Sequence, residues 1–294
     1  MRTLLAPAKI NLTLEVLARR DDGYHGVRSV MVPIGLFDRI TVEPAARPSF
    51  SCDETSLERD NLVARALAAA GCEPCGVALE KRIPFGAGLG GGSSDAAAIL
   101  RAAMEGAIGR SGDPPDWLGL ARSLGSDVPF FLVGTGALVE GTGERVTAVG
   151  ALPPWWCVVA KPTASVATVE AYGLLDTARE AVRPPSRPRS ESASLRAVEA
   201  LQRGDLADLR RHMGNDFHDA ICSAYPAIAR ASARLAEAGG AGAMLTGSGS
   251  CVFALFEGEV QARAVAARLR DPSIDRVWAV PLAADASWRT AEAS

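Results

Sequence analysis

The segment Pro84-Phe85-Gly86-Ala87-Gly88-Leu89-Gly90-Gly91-Gly92-Ser93-Ser94 sets five glycines within seven residues. Glycine accepts positive φ and leaves backbone N–H groups free to converge on one point. The following residues, Asp95–Glu105 (DAAAILRAAME), have strong helical propensity. A helix that starts there adds its own unpaired N–H groups and the positive end of its dipole. The combination suits a polyanion such as a nucleotide triphosphate, with Ser93 and Ser94 able to add hydrogen bonds or help hold Mg²⁺. Two other readings stay open. Gly86-Ala-Gly88-Leu-Gly90-Gly91 also satisfies the G-x-G-x-x-G pattern of a dinucleotide-binding turn, although Lys-Arg-Ile-Pro precedes it and not a buried apolar strand. The stretch could also be a structural linker, but a linker would not end in a tight helix start. No Gly-Lys-Ser/Thr follows, so it is not a Walker loop.

A second signal is scarcity. Of 31 basic residues only Lys9, Lys81 and Lys161 are lysines, and asparagine occurs only as Asn11, Asn61 and Asn215. A chain that uses arginine for solvated positive charge flags its lysines as places that need a compact ammonium. Lys9 lies in a strand-like run, where Asn11 shares its face. An edge-strand lysine that discourages aggregation is the alternative for Lys9. Asp127 follows a helix-ending glycine and precedes an apolar run, so its carboxylate can project from a loop; a turn-capping role is the alternative.

The elements that must position these residues are read from periodicity and punctuation. Leu4–Leu17, Ser29–Ile34, Arg39–Glu43 and Val77–Ile83 read as strands, the last running directly into the glycine-rich segment. Asp21-Asp22-Gly23 marks a turn, and Asp60-Asn61 starts a helix that stops at Gly71. Asp113-Pro114-Pro115 opens another helix, through Trp117–Leu124 to Gly125, and VPFFLV after Asp127 reads as a strand. Further apolar runs, Trp155–Ala160 and Met244–Phe256, flank a mainly helical stretch. Arg183–Ser194 is a Pro/Ser/Arg cluster expected to be a solvated connection. The expected division is an N-terminal αβ domain, 1–150, and a C-terminal αβ domain, 151–294.

The 294 residues are 48% hydrophobic and 22% charged, with net charge -3, which argues against nucleic acid held by bulk electrostatics. No apolar run approaches the length of a membrane span, and Lys9 and Asn11 interrupt the N-terminus too early for a signal peptide. The expectation is a cytoplasmic protein, without nucleic-acid or membrane partners, acting as a monomer or homodimer. Six scattered cysteines, one pair spaced as Cys72-Glu-Pro-Cys75, lack the second pair or the histidines of a zinc site and are read as incidental thiols.

PFGAGLGGGSSDAA resembles the phosphate loop of the GHMP kinases. Ala6-Pro-Ala-Lys9-Ile-Asn11-Leu, Asp22-Gly-Tyr24-His25, Asp60-Asn61-Leu62, Leu124-Gly-Ser-Asp127-Val-Pro, Asn215-Asp216 and Thr246-Gly-Ser-Gly-Ser-Cys-Val-Phe253 match the family in order, over nearly the whole chain. The resemblance implies an α+β fold of two domains, the N-terminal one like ribosomal protein S5 domain 2 and the C-terminal one ferredoxin-like, with the active cleft between them. It implies ATP as co-substrate, with Mg²⁺ but no dedicated acidic metal ligand. Asp127 would be the general base and Lys9 its ionising partner, steadying hydroxyl and γ-phosphate. Residues 84–94 with Asn61 and Lys81 would hold ATP. Tyr24-His25 and the triple glycine resemble the branch that phosphorylates a cytidine diphosphate-linked polyol. There Tyr24 and His25 would stack on and hydrogen-bond the base, with Asn11, Thr168 and Tyr172 completing that pocket. Another GHMP kinase, for homoserine or mevalonate, and a nonenzymatic S5-like binding module are the rival readings.

Overall fold

The computed structural model describes residues 1–19, 23, 25–58, 61–181 and 192–282. Asp21-Asp22 of the expected turn, Tyr24, Asp60 and residues 183–191 of the Pro/Ser/Arg cluster lie outside the described residues.

The first sheet is built around one long strand. Its members are β1 (Arg2–Asn11), β2 (Thr13–Arg19), β3 (His25–Pro44), β4 (Ser49–Cys52), β5 (Cys75–Glu80), β6 (Ala137–Gly141) and β7 (Arg145–Ala148). β3 pairs antiparallel with β2 and β6 along its first part and with β1 and β5 along the rest. Sequence punctuation suggested two strands here, broken near Gly35. The strand runs on through Gly35, whose glycine answers to a close approach: a Cβ there would lie 2.9 Å from the Pro281 ring. Conversely, the single strand expected over Leu4–Leu17 is divided at Leu12 into β1 and β2.

Helices α1 (Leu62–Ala69), α2 (Gly91–Met104), α3 (Trp117–Leu124) and α4 (Val128–Val133) cover this sheet. The expected strand VPFFLV is therefore a helix, α4. A short apolar run carries no period that separates buried strand from buried helix, and Pro129 in the first turn with Gly134 in a left-handed C-cap favours the helix. Val128, Phe130 and Phe131 are buried beside the alanines of α2. α2 itself begins inside the glycine-rich segment, four residues before the expected start at Asp95.

The rest of the chain supplies β8 (Trp156–Pro162), α5 (Thr168–Ala181), α6 (Ala193–Arg203), α7 (Leu206–His212), β9 (Gly214–Asn215), α8 (His218–Ala224), α9 (Pro226–Glu237), β10 (Met244–Leu245), β11 (Val252–Phe256), α10 (Glu259–Arg268) and β12 (Ile274–Pro281). Four strands form an antiparallel sheet in the order β10-β11-β8-β12. The two-residue β9 instead joins the first sheet, parallel to β2. Burial is continuous between the halves: Ile10, Val32 and Leu89 share one apolar cluster with Cys157, Leu201, Phe253 and Leu282. Among the described residues, no helix is long and apolar enough to cross a membrane.

Candidate active site

The glycine-rich segment turns three times through positive φ, at Gly86, Gly88 and Gly90, before α2 begins. Gly88 is needed for space as well as angle, because a Cβ there would fall 2.1 Å from the Thr246 carbonyl oxygen. Gly90 is the left-handed N-cap of α2, and the Ser94 N–H makes a helical bond back to its carbonyl at 2.9 Å. The first-turn N–H groups of Gly91, Gly92 and Ser93 thus precede that bond at the positive end of the dipole, as an anion site requires. Phe85 is 76% exposed at the entrance.

Lys9 comes up from β1 beneath this loop. Its backbone N–H bonds the Leu89 carbonyl at 3.0 Å, and a Cβ on Gly90 would sit 3.2 Å from its Cγ. The side chain is buried, with Nζ 2.6 Å from Asn11 Oδ1 and 3.7 Å from Asp127 Oδ2. Burial pulls the Lys9 ammonium below the usual lysine range, and the Asp127 carboxylate offsets part of that. Asp127 occupies the N-cap position of α4 but makes no capping bond, and its side chain is 32% exposed. Its carboxylate is therefore free to face both the lysine and an incoming group.

Asn11 is buried at 3% exposure and fully engaged. Its Oδ1 accepts from Lys9, from the Thr246 hydroxyl at 3.2 Å and from the Gly247 N–H at 2.9 Å, while Nδ2 donates to Ser29 at 2.8 Å. It ties the Thr246–Ser250 turn to β1. Asn215 holds the same turn from the other side, donating to the Leu245 and Gly247 carbonyls at 2.9 Å each. The Cys251 N–H then bonds the Ala87 carbonyl at 3.1 Å, so this second Gly/Ser turn is laced to the first.

His25, at the start of β3, stacks on Tyr172 of α5 with ring centroids 5.4 Å apart, and Phe217 meets Tyr172 edge-on at 4.9 Å. Nδ1 of His25 lies 3.0 Å from the Leu17 carbonyl, which can only accept, so the ring proton belongs there. Nε2 faces Asp176 at 3.3 Å. Burial, then the charges of Asp127 and Asp176, push the Tyr172 hydroxyl up. Thr168, at the start of α5, reaches the Ser248 hydroxyl at 3.2 Å.

Two residues expected on the nucleotide side turn elsewhere. Asn61 caps α1, accepting from the Val63 N–H at 2.9 Å and donating to the Leu57 carbonyl at 2.8 Å. Lys81 points its ammonium into a buried cluster with Asp38 and Asp95. Nothing in the sequence singled out Asp38, and Asp95 read as a helix-start residue; only the rarity of lysine hinted at this cluster. The cysteines among the described residues are all free, Cys72 and Cys75 included.

Comparison with known proteins identifies relatives of the chain as a whole. The family described as "GHMP kinases N terminal domain" matches residues 60–135, and "GHMP kinases C terminal" matches residues 197–275. A 4-diphosphocytidyl-2-C-methyl-D-erythritol kinase from Pelotomaculum thermopropionicum is 42% identical, across 91% of this chain and 93% of its own. One of the same name from Symbiobacterium thermophilum is 39% identical, across 93% and 96%. The crystal structure of a 4-(cytidine 5'-diphospho)-2C-methyl-D-erythritol kinase superposes with a TM-score of 0.76 at 38% identity, over 95% of this chain and 98% of that one. A homoserine kinase from Cytophaga hutchinsonii shares the fold, with a TM-score of 0.66 at 18% identity over 96% and 95%. Family matches in both halves, and relatives this similar along most of the chain, make it a member of the GHMP kinase family, enzymes that use ATP as co-substrate.

Proposed function

We propose that this kinase transfers the γ-phosphoryl group of ATP to the 2-hydroxyl of 4-diphosphocytidyl-2-C-methyl-D-erythritol, giving the 2-phosphate and ADP in the non-mevalonate route to isoprenoid precursors. The observation that carries this reading is the 3.7 Å gap between Lys9 and Asp127 under the glycine-rich loop.

In this reading the triphosphate lies along Pro84–Ser94, its γ-phosphate at the N–H groups of Gly91–Ser93 and near the Lys9 ammonium. The cytosine enters beside His25 and Tyr172, where one ring gives a face and the other a hydrogen-bonding edge. Asp127 takes the hydroxyl proton as the new O–P bond forms and the bond to the β-phosphate oxygen breaks, with ADP leaving. Lys9 keeps Asp127 ionised and stabilises charge on the transferring group. Asn11 acts behind Lys9 by fixing the ammonium's direction.

Mg²⁺ fits this site as a companion of the nucleotide. The Ser94 hydroxyl oxygen is buried without a hydrogen-bond partner at the start of α2, and hydroxyl, phosphate and water oxygens suit the ion. Among the described residues no cluster of acidic or histidine side chains would hold it alone. When bound it would neutralise charge on the β- and γ-phosphates. A division of labour near residue 150 belongs to the same reading, supported by β7 and β8 joining different sheets. So does a cytoplasmic location, where the ATP it consumes is supplied.

An ATP-consumption screen with the cytidine diphosphate polyol, mevalonate, homoserine and galactose as acceptors tests the assignment. Turnover with the first alone is expected; preference for any other acceptor overturns it.

A further inference from the structure

The glycine-rich segment is held at both ends by one buried ion cluster. Asp38 lies on β3 with 0% exposure. Its Oδ1 accepts from the backbone N–H groups of Arg82 at 2.6 Å and Ile83 at 2.8 Å, the two residues that lead into Pro84. Its Oδ2 accepts from the Lys81 ammonium. The same ammonium donates to Asp95 Oδ2 at 2.7 Å, one residue beyond Ser94 on α2. The Lys81 backbone N–H is fixed in turn by Asp53 Oδ1 at 2.8 Å. Entry and exit of the loop therefore meet at one nitrogen atom.

The packing is close. A Cβ on Gly91 would lie 3.2 Å from Asp38 Oδ2 and 3.0 Å from Ile83 Cγ2, so the first turn of α2 rests directly on the cluster. Side-chain exposures of 6%, 0% and 3% for Lys81, Asp38 and Asp95 leave two carboxylates facing one ammonium in a low-dielectric setting. Such a cluster is a poor way to gain stability, because desolvation offsets most of the Coulomb attraction. Its distinctive property is geometric, since it defines a single relative position for the segments it joins.

We propose that Lys81, Asp38 and Asp95 form a clasp that closes the glycine-rich loop into its phosphate-binding shape, as positioning residues and not as nucleotide ligands. This rests on the reading of the loop as the ATP site. It gives Lys81 a different task from the direct contact with ATP expected from sequence.

The test is ATP binding by calorimetry without an acceptor, together with separate KM values for ATP and acceptor. Asp95→Ala cuts the exit tether, suits an alanine-rich helix and leaves Lys81 and Asp38 as a balanced pair. It should fold, raise the Kd and KM for ATP about tenfold and leave the acceptor KM within twofold. A folded variant that binds ATP as the wild type does, or that loses both substrates equally, overturns the clasp. Should Asp95→Ala not fold, hydrogen exchange on the unliganded wild-type chain decides. The bonded amides of Arg82, Ile83 and Ser94 should exchange as slowly as those of β1; free exchange overturns the proposal. A wild-type chain that binds ATP but phosphorylates no acceptor in the screen removes the functional reading without touching this one. A chain that binds no ATP removes both.

Discussion

Two buried lysines face aspartates on either side of the glycine-rich loop, and they are built differently. Lys81 has two carboxylates at hydrogen-bonding distance; burial works against its ammonium, yet both partners together hold it above the usual lysine range. Lys9 has one aspartate, 3.7 Å away and partly open to solvent, and burial holds its ammonium below that range. A tight cluster of this kind fixes geometry, its ammonium committed to two buried carboxylates. A loose pair keeps attraction in reserve for a third group between its members. The contrast separates the groups that hold the loop from those proposed to act on what it binds.

The largest effect should come from the loose pair. Asp127→Asn removes the proposed base and should lower kcat by about 10²–10⁴-fold with ATP still bound; near-full turnover would erase the distinction. Lys9→Arg keeps the charge but brings a longer, planar head into a buried slot against Asn11. A loss in kcat of about 10²-fold is expected, since compactness and not charge alone is what the site uses; steady-state turnover across both variants checks this. His25→Ala removes the partner of Tyr172 and should raise the acceptor KM about five- to tenfold, the worth of one stacked pair, with little change in the ATP KM. An unchanged acceptor KM removes the aromatic cluster from the substrate side.

The smallest effect concerns the tight cluster and is a matter of pH. Burial, against the pull of Lys81 and with a push from Asp38, raises the Asp95 carboxyl from 3.8 to about 7. Between these values the folded chain keeps a proton that the unfolded chain releases, so this group's contribution to stability falls as pH rises through the window and levels off above it. Asp95→Asn carries no titrating group. Its Tm relative to wild type should therefore rise from pH 5 to pH 8, by about 3 °C for each ~1 kcal/mol of difference. A difference constant with pH would show that Asp95 stays ionised throughout.

How legible this was in the sequence depended on whether composition or contact carried the information. The glycine-rich turn and the helix after it were readable because glycine density and helix propensity are local facts. The start of α2 lies four residues earlier than propensity places it because glycine is a poor helix former; the glycine at position 91 answers to crowding, since a Cβ there would lie 3.0 Å from Ile83 and 3.2 Å from Asp38. VPFFLV was misjudged because a short apolar run has no decisive period, and its helix is set by Pro129, Gly134 and burial against α2. Lysine scarcity proved informative in a way that spacing could not. All three side chains are buried, Lys161 donating to the Pro162 and Ala164 carbonyls at 2.5 and 3.1 Å. The carboxylates that face two of them, Asp38 for Lys81 and Asp127 for Lys9, come from distant elements and leave no pattern along the chain.

Asn11 receives bonds from Thr246 and Gly247, and Ala87 receives one from Cys251. The lysine and the loop under which it lies are thus set by residues more than two hundred positions later in the case of Asn11. Contacts of such long range form late. On a ribosome, the first half of this chain can collapse around β3 long before the Thr246–Ser250 turn arrives to brace Asn11 and the glycine-rich loop. A nascent chain halted short of residue 246 would expose a glycine-rich loop lacking its brace, folded in part and inert.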